Sequence, residues 1–482
     1  MSPVTELKPA LLWKHFAALC AIPRCSGNEA SVRAYVKGRA VEWGLSVRED
    51  AAGNLAVSKP ASKGLERRPG VVLQSHLDMV CEQNRDGKHD FSCDPIDPVV
   101  DGGWVRAEGT TLGADNGIGA AAMLAVLEDT LIHGPLECLF TADEETGLTG
   151  ALGLDPALIH GRTLLNLDSE DEGRFTVGCA GGVTSWAEIP VSGSRPDAAA
   201  GWSVLLTGME GGHSGVEIHR QTGNALKYAA RFLAEFLASQ PAGAWQVAGL
   251  EGGDKHNAIP REALALLAGP SDGRAALQTA ADTAARVYAA ELGPEGVGLR
   301  FEIVPASVSW VLSPSSQQIV LDLIAAVPDG VQGWSKTVPG LVETSCNLAS
   351  LRLADHLLRI STSQRSSSTT LRDETSRRIA AAVRLAGGTV RHGDAYPAWP
   401  PAPVSPVREA AMAVWKRLNG KPAVVELIHA GLECGVIGDR VPGMDMLSFG
   451  PTIKGAHTPS ERVEIATVTR FYEFLTALLK EL

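Results

Sequence analysis

Residues 71–80 read "VVLQSHLDMV", an apolar run that ends on His76 and Asp78, two positions apart. A strand this apolar is buried on both faces, which places it inside a mostly parallel sheet covered by helices. The flanking chain fits that reading. "LLWKHFAALCAI" (11–22) and "NEASVRAYVKGRAVEWG" (28–44) have helical spacing, and "NLAVSKP" (54–60) reads as a further strand. "DNGIGAAAMLAVLED" (115–129) reads as a helix with Asp115 or Asn116 as its N-cap. "LECLFTADEETG" (136–147) and "TLLNLDSED" (163–171) are strands running into acidic loops. Alternating helices and strands define an α/β domain.

The texture changes after about residue 185. Strands such as "SVLLTGMEGGHSG" (203–215) and helices such as "NALKYAARFLAEFLAS" (224–239) recur in two rounds, which suggests an inserted α+β domain of two similar halves. The proline-dense "AYPAWPPAPVSP" (395–406) reads as the return crossing, and the last 80 or so residues are again α/β. The expected division is 1–185 and 397–482 for a split sheet domain, with a lid over 186–396.

Composition bounds the function. The chain has 482 residues, too many for one core, with 45% apolar and 20% charged residues, an ordinary balance for a globular enzyme. A formal net charge of −12 disfavours a nucleic-acid partner. The N-terminal segment lacks the pattern of a secretory signal, and uncharged runs fall well short of a bilayer span, so no membrane role is expected. Eight cysteines without a CxxC pair read as scattered, reduced thiols, hence a cytoplasmic protein.

His76 and Asp78 share a face at the end of their strand, so Asp78 can orient His76. Taken alone, the pair could be a buried histidine satisfied by an acid. Other strand ends carry the same kind of group: Asp115 after "TTLGA", Glu144 and Glu145 after "CLFTAD", Asp168 ending "TLLNLD", and His457 after "MDMLSFG". Ligands of open α/β sheets bind outside the carboxyl ends of the strands. So many converging acids would repel one another without a cation. Two imidazoles with three or more carboxylates suit Zn²⁺, and also Mn²⁺ or Co²⁺, with enough ligands for two ions if one carboxylate bridges them.

The motifs "SHLDMV", "TLGADNGIG", "FTADEETGLTGA", "NLDSED", "GGHSGVEIH", "HAGLECG" and "GAHTPSER" resemble, in order and over nearly the whole chain, those of aminoacyl-histidine dipeptidases. These belong to the carnosinase, aminoacylase and carboxypeptidase-G group of co-catalytic zinc peptidases, with a phosphorylase/hydrolase-like α/β catalytic domain split by a lid. In "AHTPSER", threonine follows the histidine where serine is expected, and serine precedes the glutamate where an acid is expected.

The resemblance implies that Asp115 bridges two divalent ions, with His76 and Asp168 completing one and Glu145 and His457 the other. It implies Asp78 as the clamp on His76, Glu144 as general base, and a cis peptide between Asp115 and Asn116. Neighbours in an extended segment point apart, which fits one glutamate on metal and the other on water. In the lid, His213 would stabilise the oxyanion, while Asn257 and Arg365 look like anchors for the substrate, the arginine for a C-terminal carboxylate. His219, His429 and Glu433 receive no firm role, although Glu433 could support the ligands. The implied reaction is hydrolysis of short peptides, Xaa-His dipeptides foremost. An amino-acid deacylase or carboxypeptidase would use the same metals and base, and a noncatalytic metal-binding protein would share the fold. A homodimer stays open.

Overall fold

The computed structural model describes residues 3–196, 200–336 and 338–482, which form two compact units. One comprises 1–179, 399–427 and 432–482; the other comprises 180–398 and 428–431. The sequence boundaries 185/186 and 396/397 compare with observed crossings at 179/180 and 398/399, and a four-residue return at 428–431 was not visible in the sequence.

Among its described residues the first unit holds an eight-stranded sheet. Its centre is parallel: Leu136–Thr141, Val71–His76, Thr163–Asn166 and Asp445–Ser448 lie side by side. Antiparallel strands flank them, Leu55–Lys59 on one side and Arg174–Cys179 on the other. Every residue of Val71–His76 is buried, the apolar Val71–Leu73 and the polar Gln74, Ser75 and His76 alike, as a central parallel strand covered on both faces requires. Helix Ala114–Glu128 packs on this strand and on helix Ala10–Cys20. It is rich in alanine and glycine so that it can lie close: a Cβ on Gly119 would stand 2.8 Å from the Leu167 carbonyl.

Among its described residues the second unit is built on a nine-stranded sheet. Ala200–Thr207, helix Ala225–Ala238, Gln246–Gly252, Ala263–Gly269, helix Arg274–Leu292 and Arg300–Ala306 form one strand–helix–strand–strand–helix–strand set. Gly181–Pro190, helix Pro314–Ala326, Val342–Ala354, Leu357–Ser366, helix Thr369–Leu385 and Thr389–His392 form another. In both sets the strands lie in the order fourth, first, third, second, and the two second strands pair where Glu251 faces Arg352. The halves are therefore alike in topology. The first is nested in sequence between the opening strand and first helix of the second.

One expectation fails. Cys25 and Cys81 form a disulfide, so the cysteines are not all free thiols. The loop after helix Ala10–Cys20 runs beside the exit of Val71–His76, where Cys25 bridges Met79, and a separation of 56 residues gave no spacing signal. The remaining six form no disulfide among the described residues, and five of them are buried. Among the described residues no helix is long and apolar enough to cross a membrane.

Candidate metal centre

The parallel strands deliver the expected side chains to one place in the first unit. His76 is the last residue of its strand, Asp168 follows Thr163–Asn166, and Glu144 and Glu145 follow Leu136–Thr141. Among the described residues, three of the four sets of potential ligand atoms that fall within 4.8 Å of one another are built from them: His76 with Asp115 and Asp168, His76 with Glu144 and Glu145, and Asp115 with Glu145 and His457.

The two oxygens of Asp115 face different imidazoles. Oδ1 is 3.2 Å from His76 Nε2 and Oδ2 is 3.1 Å from His457 Nε2. Asp168 Oδ1 is 3.4 Å from His76 Nε2, and Glu145 Oε2 is 2.9 Å from His457 Nε2. Metal–ligand bonds of about 2.0–2.1 Å in a tetrahedron separate neighbouring ligand atoms by about 3.3 Å. The observed spacings match that edge on both sides of Asp115. Glu145 Oε1 is buried without a hydrogen-bond partner, a cost that a cation would relieve. The donor set of imidazole nitrogens and carboxylate oxygens fits paired divalent ions.

Electrostatics describe the same need. Burial opposes charge on His76, yet Asp168, Asp115 and Asp78 hold its pKa well above the usual imidazole value. His457, also opposed by burial, is raised to about 11 by Asp115 and Glu145. Burial, with the Asp115 charge beside it, pushes Glu145 up to about 7. Burial and then Glu145 push Glu144 up. The cluster holds protons where bound cations would otherwise supply the positive charge.

Asp78 does more than face His76. Its Oδ1 is 3.2 Å from His76 Nδ1 and accepts the Glu144 amide at 3.0 Å; Oδ2 accepts the Glu145 amide at 3.1 Å and the Ser26 hydroxyl at 2.7 Å. His76 Nδ1 also reaches the Asp78 carbonyl at 3.2 Å. A proton held on Nδ1 leaves the Nε2 lone pair for a metal. Against burial, His76, Ser26 and the Glu144 amide depress Asp78 to about 2. The strand itself stops at His76, so the pair meets across the strand exit rather than within a regular strand. Likewise Glu144 and Glu145 lie at the entry to a turn, not in an extended segment, and their amides converge on one carboxylate.

Asp115 and Asn116 have non-helical dihedrals and kink the first turn of helix Ala114–Glu128, so the regular helix runs on from Gly117. The N-cap position is Gly113, with no side-chain cap, and the peptide between Asp115 and Asn116 is cis. The amides of 112–115 instead bind Glu461, and the Asn116 side-chain amide donates to Asp168. Glu433, 0% exposed, accepts from Gln74 at 2.5 Å and Thr141 at 2.8 Å, and burial pushes it up to about 8. Ser26, Arg24, Glu461 and Gln74 escaped the sequence reading because their partners lie between 52 and 359 residues away.

The lid candidates all belong to the second unit. His213 Nδ1 accepts the amides of Gly215 at 3.2 Å and Val216 at 3.0 Å, which makes Nε2 the protonated, donating nitrogen. His213 pairs with Ala258 in a bridge, and the Asn257 carbonyl accepts the Ser214 amide at 2.7 Å, so His213 and Asn257 come together. Arg365 is buried, donates to the Tyr396 hydroxyl at 2.9 Å, and leaves Nε without a partner. Ser345 lies opposite Arg365 in the sheet and bonds His429 Nε2 at 2.7 Å; burial and then Arg365 lower His429 to about 3. His219 is exposed on a short 3-10 turn, bonded to the Val216 carbonyl.

A parallel-centred α/β sheet with imidazoles and carboxylates clustered beyond its strand ends is an arrangement able to hold divalent ions. Residues 72–481 match the family described as Peptidase family M20/M25/M40, and the chain belongs to it. It is 40% identical over 488 residues to the cytosol non-specific dipeptidase of Escherichia coli (strain K12), covering 100% of this chain and 99% of that protein. A solved aminoacylhistidine dipeptidase from Vibrio alginolyticus is 38% identical, with TM-score 0.84 over 100% of this chain and 98% of that one. An aminopeptidase PepT from Bacillus cereus, 17% identical, shares the fold at TM-score 0.56 over 98% of this chain and 99% of its own.

Proposed function

We propose that this chain is a dinuclear metal-dependent dipeptidase. Its substrates are short peptides with a free C-terminal carboxylate, Xaa-His dipeptides among them. The observation that carries the reading is Asp115, whose two oxygens face His76 and His457 at tetrahedral-edge spacing. Support for the substrate comes from the relatives named a non-specific dipeptidase and an aminoacylhistidine dipeptidase.

His76 and Asp168 would hold one ion, Glu145 and His457 the other, with Asp115 between them; Zn²⁺ suits the donors best, with Mn²⁺ or Co²⁺ as substitutes. When bound, the paired ions supply Lewis acidity toward a water and the scissile carbonyl. Glu144, its backbone fixed by Asp78, takes the water proton and returns it to the leaving amine. His213 donates Nε2–H to the oxyanion, and Asn257 and Arg365 hold the substrate, the guanidinium on its carboxylate. The cytoplasmic assignment rests on the name of the Escherichia coli relative, since the argument from free thiols no longer covers Cys25 and Cys81.

The test is a panel of dipeptides, including Xaa-His and β-alanyl-histidine, beside N-acyl amino acids, with chelator-treated and metal-restored protein. Dipeptide turnover should vanish with the metal and return with it. Glu144→Gln should lower kcat at least about 10²-fold with metal content retained. Turnover of N-acyl amino acids alone would make the protein a deacylase, and metal loss in Glu144→Gln but not Glu145→Gln would reverse the two glutamates.

A further inference from the structure

We propose that Glu461 is a positioning residue for the metal centre, holding the backbone arch that presents Asp115. The proposal rests on Asp115 and His457 being metal ligands. Glu461 is 2% exposed and uses both carboxylate oxygens on four consecutive amides. Oε2 accepts from Leu112 at 2.7 Å and Gly113 at 2.9 Å; Oε1 accepts from Ala114 at 2.7 Å and Asp115 at 3.1 Å.

The first amides of a helix need acceptors, and a nearby Asp or Asn side chain is the usual source. Asp115 could not serve these four amides, because a capping side chain accepts from amides two or three residues after it and the last of the four is its own. Glu461 meets the demand from 346 residues away and leaves both Asp115 oxygens to the two imidazoles. Glu461 also lies four residues after His457, with its own amide closing a turn on the Thr458 carbonyl at 3.0 Å. One loop thus brings both the His457 imidazole and the anchor for the Asp115 backbone.

A buried cation holds the opposite side of the arch. Arg24 donates to the Gly113 carbonyl at 2.5 Å, and to the Leu77 and Asp78 carbonyls at 3.0 and 2.9 Å. Gly113 has φ +71°, and a Cβ there would stand 2.5 Å from Arg24 Nη2 and 2.7 Å from Met79 Sδ. The arch therefore has one conformation, fixed between anion and cation, and the direction of the Asp115 side chain follows from it. Supporting contacts of this kind set metal affinity by about 10–100-fold.

The test compares Glu461→Gln, Glu461→Asp, His457→Ala and Asp329→Asn in the full chain. Metal affinity is read by chelator competition, ligand geometry by the visible spectrum of cobalt-loaded protein, and folding by circular dichroism. In Glu461→Gln the amide NH₂ faces two backbone N–H groups, which lose their acceptor. The weaker ion should bind about 10–100-fold less tightly, with an altered cobalt spectrum and activity partly recovered in excess metal. Glu461→Asp, which keeps both oxygens, should lie between. Asp329 is a half-buried carboxylate of the second unit that accepts the Leu348 amide at 2.8 Å, so Asp329→Asn measures the loss of such an anchor elsewhere and should leave metal affinity unchanged. Parental affinity and spectrum in either folded Glu461 variant would overturn the proposal, as would an equal loss in Asp329→Asn or failure of both Glu461 variants to fold. If His457→Ala itself leaves metal binding unchanged, the ligand assignment fails and this proposal with it. If only His457→Ala weakens binding, the ligands stand and Glu461 is not their support.

Discussion

Replacing Asp78 by Asn changes one atom and removes a charge, at a point where four donors meet. Oδ1 serves His76 Nδ1 and the Glu144 amide, and Oδ2 serves Ser26 and the Glu145 amide. Ser26 can rotate its hydroxyl to accept from the new NH₂, but neither backbone amide can. Whichever way the Asn side chain turns, one amide of the pair that carries Glu144 and Glu145 loses its acceptor, at about 1–3 kcal/mol. The bonds that survive lose their charge assistance, worth about 1 kcal/mol between them. The sum, about 3 kcal/mol, agrees with the depression of Asp78 to about 2, which corresponds to about 2–3 kcal/mol of preference for the carboxylate. Urea unfolding of the metal-free protein should register this loss. Metal affinity should fall about 10–100-fold as His76 loses its orienting partner. At saturating metal kcat should still drop about 10-fold or more, because the base is no longer held in place. Ser26→Ala removes only the 2.7 Å hydroxyl bond, leaving both amides satisfied, and should cost about 1 kcal/mol with metal affinity intact. If Asp78→Asn matches Ser26→Ala in stability, metal affinity and kcat, then Asp78 does not organise the site.

Arg365→Ala should raise KM for dipeptides with a free carboxylate by about 10²-fold while hardly changing KM for amidated ones; an unchanged ratio of kcat/KM between the two assigns the anchor elsewhere. His15, 0% exposed, is lowered to about 4 by burial against the pull of Glu128, so the folded state keeps it neutral while the unfolded chain takes up a proton near pH 6.5. Its contribution is complete above pH 6.5 and is lost as pH falls toward 4; about 2 kcal/mol should disappear between pH 7 and 5, and His15→Leu should remove that part of the urea-midpoint shift.

The sequence alone carried the fold class and pointed to candidate ligands, for a physical reason. Buried parallel strands are mostly apolar, so titratable groups where they end stand out, and His76 and Asp168 are visible on that ground. The resemblance then paired those residues with Asp115, Glu145 and His457. The two-round alternation in the inserted segment was legible as well, because helix and strand periods are local.

Tertiary structure decided everything that depends on which distant groups share a space. A local rule made Asp115 or Asn116 the helix cap, but the amides of 112–115 just before that point are held by Glu461, whose carboxylate reaches them after the chain has passed through the whole inserted unit. The nesting of one half of that unit inside the other is a matter of strand order, which periodicity does not encode. Cys25 and Cys81 looked like two unrelated thiols until the strand exit brought Met79 alongside the 24–29 loop. Composition and spacing report what each segment buries. Only packing determines which carboxylate is left over to hold a metal and which is used to hold the backbone, because each buried oxygen can satisfy only the donors that the fold brings within about 3 Å.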